Sequence, residues 1–179
     1  MNDSFILRDR IWREQNERVT LSSIATLAEE TKGREQEEEK DTFRTAFERD
    51  RDRILHSKSF RRLKHKTQVF INPDGDHYIT RMTHTLQVTQ VGRSIAKTLG
   101  LNPDLTEAIC LGHDVGYSPF GHTGEDVLND LLDEGWSHSE NSVKIFSSIE
   151  PLNLTHETLN GIQFHPWKYE EPPESSEGI

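Results

Sequence analysis

Three side chains able to hold a divalent cation stand out in the sequence: His84 and the adjacent pair His113 and Asp114. Neighbouring side chains on a helix diverge by about 100°, yet both members of an adjacent pair can reach one ion placed between them, above all where a helix is ending. Gly116 and Pro119 predict that end. A carboxylate there faces the negative end of the helix dipole, which costs a few tenths to about 1 kcal/mol, so something positive should compensate. A divalent cation gripped by two imidazoles and a carboxylate would do so, and this donor set suits Mn, Mg, Fe, Ni or Zn better than a thiol-seeking metal. The same residues have a blander explanation. A histidine on an apolar helix face is more often a hydrogen-bonded core residue, and a simple hydrogen bond would also account for a His-Asp pair.

Other groups around these three suit phosphate chemistry. Arg81 lies one turn before His84 and could reach a phosphate held on a metal. His122 has Glu125 three residues later, close enough on one helical turn to hydrogen-bond back to it. Arg62 and Lys64 are further cations, although an arginine-rich helix is equally well explained by structural ion pairing. His138 sits among Ser137, Ser139, Glu140 and Asn141 and is either a surface residue or part of the site.

The elements that must position these groups read as helices. Residues 83–99 place His84, Val88, Val91, Ile95 and Leu99 on one face, so this face is expected in the core. Gly100 closes that helix, and Asn102 with Pro103 opens the next, in which Leu105, Ile109 and His113 recur every four residues. Residues 43–63 read as one helix dense in arginine, and residues 120–133, 139–149 and 155–163 as three more. Asn72-Pro-Asp-Gly-Asp between two β-prone runs predicts a short hairpin within residues 67–81. A weakly amphipathic stretch runs from Phe5 to about Leu27. Charge dominates residues 29–41, which are read as a solvated segment, and the tail 170–179 has no periodicity.

Four ordered strings make the pattern specific. Residues 49–63 (RDRDRILHSKSFRRL), 66–70 (KTQVF), 80–86 (TRMTHTL) and 112–125 (GHDVGYSPFGHTGE) resemble the successive signatures of the dNTP triphosphohydrolase branch of the HD superfamily. The similarity runs from about residue 42 to 167 and includes Leu152-Asn-Leu-Thr. It implies an all-α HD-domain helical fold with one short β-hairpin, incomplete at its C-terminus. Residues 1–41 would be an N-terminal helix and charged segment, 42–169 the N-terminal part of the HD domain, and 170–179 a tail.

The resemblance also assigns roles. His84, His113 and Asp114 match the family's metal ligands, and a fourth, an Asp, is expected just after this chain stops. His122 matches the proton-transferring histidine, Glu125 the carboxylate that orients it, and His138 a second active-site histidine. Arg81 matches a phosphate-binding arginine and Gln68 a residue near the sugar that would favour deoxyribose. Tyr117 departs from the pattern, since many members carry another histidine there. The implied reaction splits a dNTP into a deoxynucleoside and inorganic triphosphate, in homo-oligomers. Two other readings stay open. One is a different HD phosphohydrolase, a nucleotidase or phosphodiesterase, that needs neither Arg81 nor Gln68. The other is an inactive nucleotide-binding or assembly module.

Composition bounds the function classes. A length of 179 residues suits one domain, while a hydrophobic fraction of 32% and a mean hydropathy of −0.77 are low, so part of the core is expected to come from elsewhere. A net charge of −10 argues against a general nucleic-acid or anionic-membrane surface. Residues 48–97 nevertheless hold eleven Lys or Arg against five Asp or Glu, a basic island suited to a compact polyphosphate. Cys110 is the only cysteine, and neither a leader nor an apolar run of about 20 residues is visible, which points to the cytoplasm.

Overall fold

The fold is that of a computed structural model, which describes residues 7–66 and 79–166. The hairpin expected within residues 67–81 falls almost wholly outside these residues, as do Gln68 and the tail. The described residues form α1 (Arg10–Thr20), α2 (Ala46–His56), α3 (Lys58–Arg62), α4 (Arg81–Leu99), α5 (Pro103–Gly112), α6 (Gly121–Leu131), α7 (His138–Lys144) and α8 (His156–Phe164). Short 3-10 turns cover Ala28–Glu30 and Leu63–His65, and α7 runs on into a wider turn at Ile145–Ile149. The architecture is all-α, as expected.

Local chemistry sets most helix ends. The α5 start follows its sequence: the Asn102 side chain accepts from the N–H groups of Asp104 and Leu105, and Pro103 occupies the first turn. Gly100, at φ 70°, ends α4 in the left-handed region open to glycine. Thr45 and Glu48 form a reciprocal capping box at the start of α2. The expected single helix over 43–63 is instead two. Ser57 is extended, its hydroxyl donates to Ile54 O at 2.7 Å, and it accepts from Phe60 N at 3.0 Å. One residue therefore ends α2 and caps α3, because a serine side chain can replace both missing backbone partners.

Helix α5 is the centre, packed against α2, α4 and α8. Its Ala108 and Leu111 join Ile54, Phe60, Leu63, Val115, Phe146, Leu154 and Ile162 in the main core. Truncating a fully buried member such as Phe146 or Ile162 to alanine should cost about 2–5 kcal/mol.

Two further expectations fail. The apolar face of α4 is not in the core: Val91, Ile95 and Leu99 are each more than half exposed, at 52, 54 and 59%. The buried face instead carries Arg81, Thr85, Thr89 and Ala96. Close approach to α5 explains the choice, since a Cβ on Gly92 would lie 2.9 Å from Cys110 Sγ and only small residues fit there. The acidic run at 29–41 is not simply solvated either. Arg34 reaches inward to pair with the fully buried Asp50, donates to Asn153 O at 2.6 Å, and forms a bridge with Thr155. Asp50 also accepts from Thr155 N, Thr155 Oγ1 and Thr158 Oγ1 at 2.6–2.9 Å. One arginine thus ties this run to α2 and the start of α8.

Candidate metal centre and its histidine cluster

Helix α5 ends at Gly112, so His113 and Asp114 occupy the turn that leaves it, and α4 brings His84 alongside. One ligand atom from each of His84, His113 and Asp114 lies within 4.8 Å of the other two. His113 Nδ1 lies 2.7 Å from Cys110 O. A carbonyl only accepts, so Nδ1 carries the proton and Nε2 is bare. Burial pushes the His113 pKa down, which favours the neutral ring that metal ligation requires.

His113 Nε2 lies 3.4 Å from Asp114 Oδ1. Two donors each about 2.0–2.1 Å from one ion at a roughly tetrahedral angle stand about 3.4 Å apart, so the spacing suits a shared cation. The donor set therefore fits a divalent metal. Among the described residues no fourth donor joins this group.

Asp114 Oδ2 faces Arg81, whose Nη1 donates to it at 3.0 Å in a pair buried on both sides. Here the expectation for Arg81 changes. Its guanidinium already provides the positive charge that a carboxylate at the end of α5 requires, and it lies 3.4 Å above the Tyr117 ring.

Neighbouring elements bolt down the turn after Asp114. Lys66 Nζ donates to the carbonyls of Val115 and Tyr117 at 3.3 and 3.0 Å, while its own carbonyl accepts from Arg81 N at 2.9 Å. From α7, Ser142 Oγ accepts from Gly116 N at 2.8 Å, and Asn141 Nδ2 donates to Gly116 O at 2.7 Å. Lys66 lies in one of the quoted strings, but spacing gave no hint of its partners.

The remaining residues are paired differently from the spacing argument. His122, on the first turn of α6, is largely exposed, and its Nδ1 lies 3.7 Å from Glu125, beyond hydrogen bonding. It shares a 2.7 Å hydrogen bond with Tyr117 Oη instead. Glu125 turns to His138, accepting from its backbone N at 2.9 Å and facing its Nδ1 at 2.9 and 3.0 Å. These hydrogen bonds outweigh the desolvation that would raise its pKa, so the Glu125 carboxyl sits below its usual value. His138 is buried rather than on the surface. Arg62 and Lys64 are exposed beside the Lys66 turn.

Sequence reasoning missed His165. It follows α8, its Nε2 lies 3.1 Å from His138 Nε2, and its ring meets that of His113 edge-on at 5.2 Å. A histidine at a helix end with no recognised neighbour in sequence gave no local signal.

Several proteins match most of the chain. The chain is 58% identical over 156 residues to a protein of Caldanaerobacter subterraneus subsp. tengcongensis named deoxyguanosinetriphosphate triphosphohydrolase-like protein, covering 85% of this chain and 46% of that one. A Clostridium tetani protein of the same name is 54% identical over 167 residues, covering 91% and 47%. One from Geobacter metallireducens is 47% identical over 165 residues, covering 87% and 43%. The chain therefore spans just under half the length of these relatives. The HD domain family matches residues 81–177, which begin at Arg81 and take in the three converging donors. That match covers more than half of the sequence, and the chain belongs to the HD domain family.

Proposed function

We propose that the protein carrying this chain is a metal-dependent phosphohydrolase that splits a deoxynucleoside triphosphate into a deoxynucleoside and inorganic triphosphate. The observation that carries this reading is the convergence of His84, His113 and Asp114 within 4.8 Å. The names of the relatives support the substrate class. His84, His113 Nε2 and Asp114 Oδ1 would hold the metal, which when bound polarises a phosphate oxygen or activates water.

The chain's own residues then have distinct tasks. Arg81 holds one oxygen of Asp114 and so keeps the other aimed at the metal position. Lys66, Ser142 and Asn141 fix the turn that carries the ligands. Water forms a bond to the α-phosphorus as the bond to the 5′-oxygen breaks; His122 gives that oxygen its proton, and the proton the water loses passes to solvent, from which His122 is reprotonated. Tyr117 orients His122, while Glu125 orients His138. Arg62 and Lys64 meet the outer phosphates, and Gln68, outside the described residues, meets the deoxyribose. A homo-oligomer and a cytoplasmic location belong to the same reading; no described helix is long and apolar enough to cross a membrane.

The test is product analysis. The complete protein is incubated with each dNTP and Mn or Mg. Intact triphosphate is the expected product, and orthophosphate would overturn the reading in favour of another HD phosphohydrolase.

A further inference from the structure

We infer that His165 is a positioning residue for the proposed reaction: its bare Nε2 accepts a hydrogen bond from His138 and locks that ring between Glu125 and the metal ligands. The inference rests on the function proposed above and adds a residue to it.

His165 Nδ1 lies 2.8 Å from Ile162 O, so this nitrogen must carry the ring proton and donate it. That leaves Nε2 with a lone pair. His138 Nε2 faces it at 3.1 Å, and two lone pairs at that distance would repel. The proton between them therefore belongs to His138. At its other end, His138 Nδ1 faces both oxygens of Glu125, which only accept when ionised. Glu125 on one side and the bare His165 nitrogen on the other thus hold the His138 ring from both ends.

The packing makes the arrangement rigid. The His165 ring meets His138 at 5.0 Å and His113 at 5.2 Å, both nearly edge-on, so it stands between the second histidine and a metal ligand. A ring held from both sides keeps one orientation, which is the preorganisation that a group of the proposed site needs.

The experiment uses the complete protein with His165→Leu and His165→Gln. His165 is only partly buried, so both variants should fold, which thermal unfolding checks. His165→Leu should lower kcat about 10- to 100-fold, the range typical of lost outer-shell partners, with KM and metal content unchanged. His165→Gln, whose carbonyl can accept at the same place, should recover most of the rate. A wild-type kcat in His165→Leu, or equal losses in both variants, would overturn the inference. A second readout does not need turnover: a downfield imidazole N–H resonance, assigned to His138 by its disappearance in His138→Gln, should vanish in His165→Leu. The resonance read is that of Nε2–H, told from the Nδ1–H that faces Glu125 by its nitrogen-15 correlation, and its persistence in His165→Leu would overturn the inference even if the wild type cleaves no dNTP, an outcome that sinks only the proposed function.

Discussion

The Arg81 guanidinium and the Asp114 carboxylate form a buried pair, 3.0 Å apart, that joins the start of α4 to the turn after α5. Removing one member leaves the other charge buried and uncompensated, which costs about 3–5 kcal/mol. Arg81→Met in the presence of a chelator should therefore lose roughly that much stability in urea unfolding. Adding Mn should return part of it, because a cation beside Asp114 replaces the missing charge, and the midpoint should rise more in the variant than in the wild type. An unchanged midpoint without metal would show that the pair contributes nothing.

His113→Ala and Asp114→Ala each remove a donor from a set of three and should empty the site, abolishing hydrolysis. His122 is exposed and touches Tyr117 rather than the ligands. His122→Ala should keep the metal and lower turnover by the roughly 10²- to 10⁴-fold typical of a lost acid or base. Metal content measured on all three variants decides the division of roles, and an empty site in His122→Ala would show it to be wrong.

The sequence made some of this legible because local rules governed it. Gly100, Asn102 and Pro103 mark a junction that backbone chemistry alone determines. The helix end at Gly112 likewise followed from the glycine and proline after it. The pairings of Glu125, His165 and Arg34 were not legible, because they join residues distant in sequence. Glu125 chose His138, 13 positions away, over His122, three positions away. Arg34 bonds to Asn153, 119 positions on, inside a run whose composition suggests solvent. The stripe on α4 misled for a different reason. Apolar spacing shows which residues share a face, whereas Gly92 and Cys110 decided which face meets α5.

Glu17 gives the stability a defined pH dependence. Burial pushes its carboxyl up from 4.5 to about 7, against the lowering effect of the Ala28 N–H, which donates to it at 2.7 Å. A folded-state value above the unfolded one favours the native state while the group is protonated. That contribution is fully present below about pH 4.5 and is lost as pH rises towards 7. Glu17→Gln keeps an acceptor for Ala28 and removes the charge. Its stability should exceed that of the wild type above pH 7, with the two curves converging towards pH 4.5. Urea unfolding across this range measures the difference, and parallel curves would rule out the effect.

Gly116 sits where the turn carrying His113 and Asp114 meets α7. A Cβ there would run into the backbone of that helix, 2.6 Å from His138 O and 2.7 Å from the Asn141 carbonyl carbon, with Ser142 N closer still. Backbone cannot swing aside as a side chain can, so the turn and α7 must separate. Gly116→Ala should cost about 1–3 kcal/mol from overpacking. It should also strain the hydrogen bonds from Gly116 to Ser142 and Asn141, which hold α7 against the turn. His138 begins α7, so its ring would move relative to Glu125 and His165. Turnover should fall towards the roughly 10²-fold loss that a misplacement of about 1 Å brings, while metal content falls much less. If turnover and stability both match the wild type, the close contact between the turn and α7 does not set the position of His138.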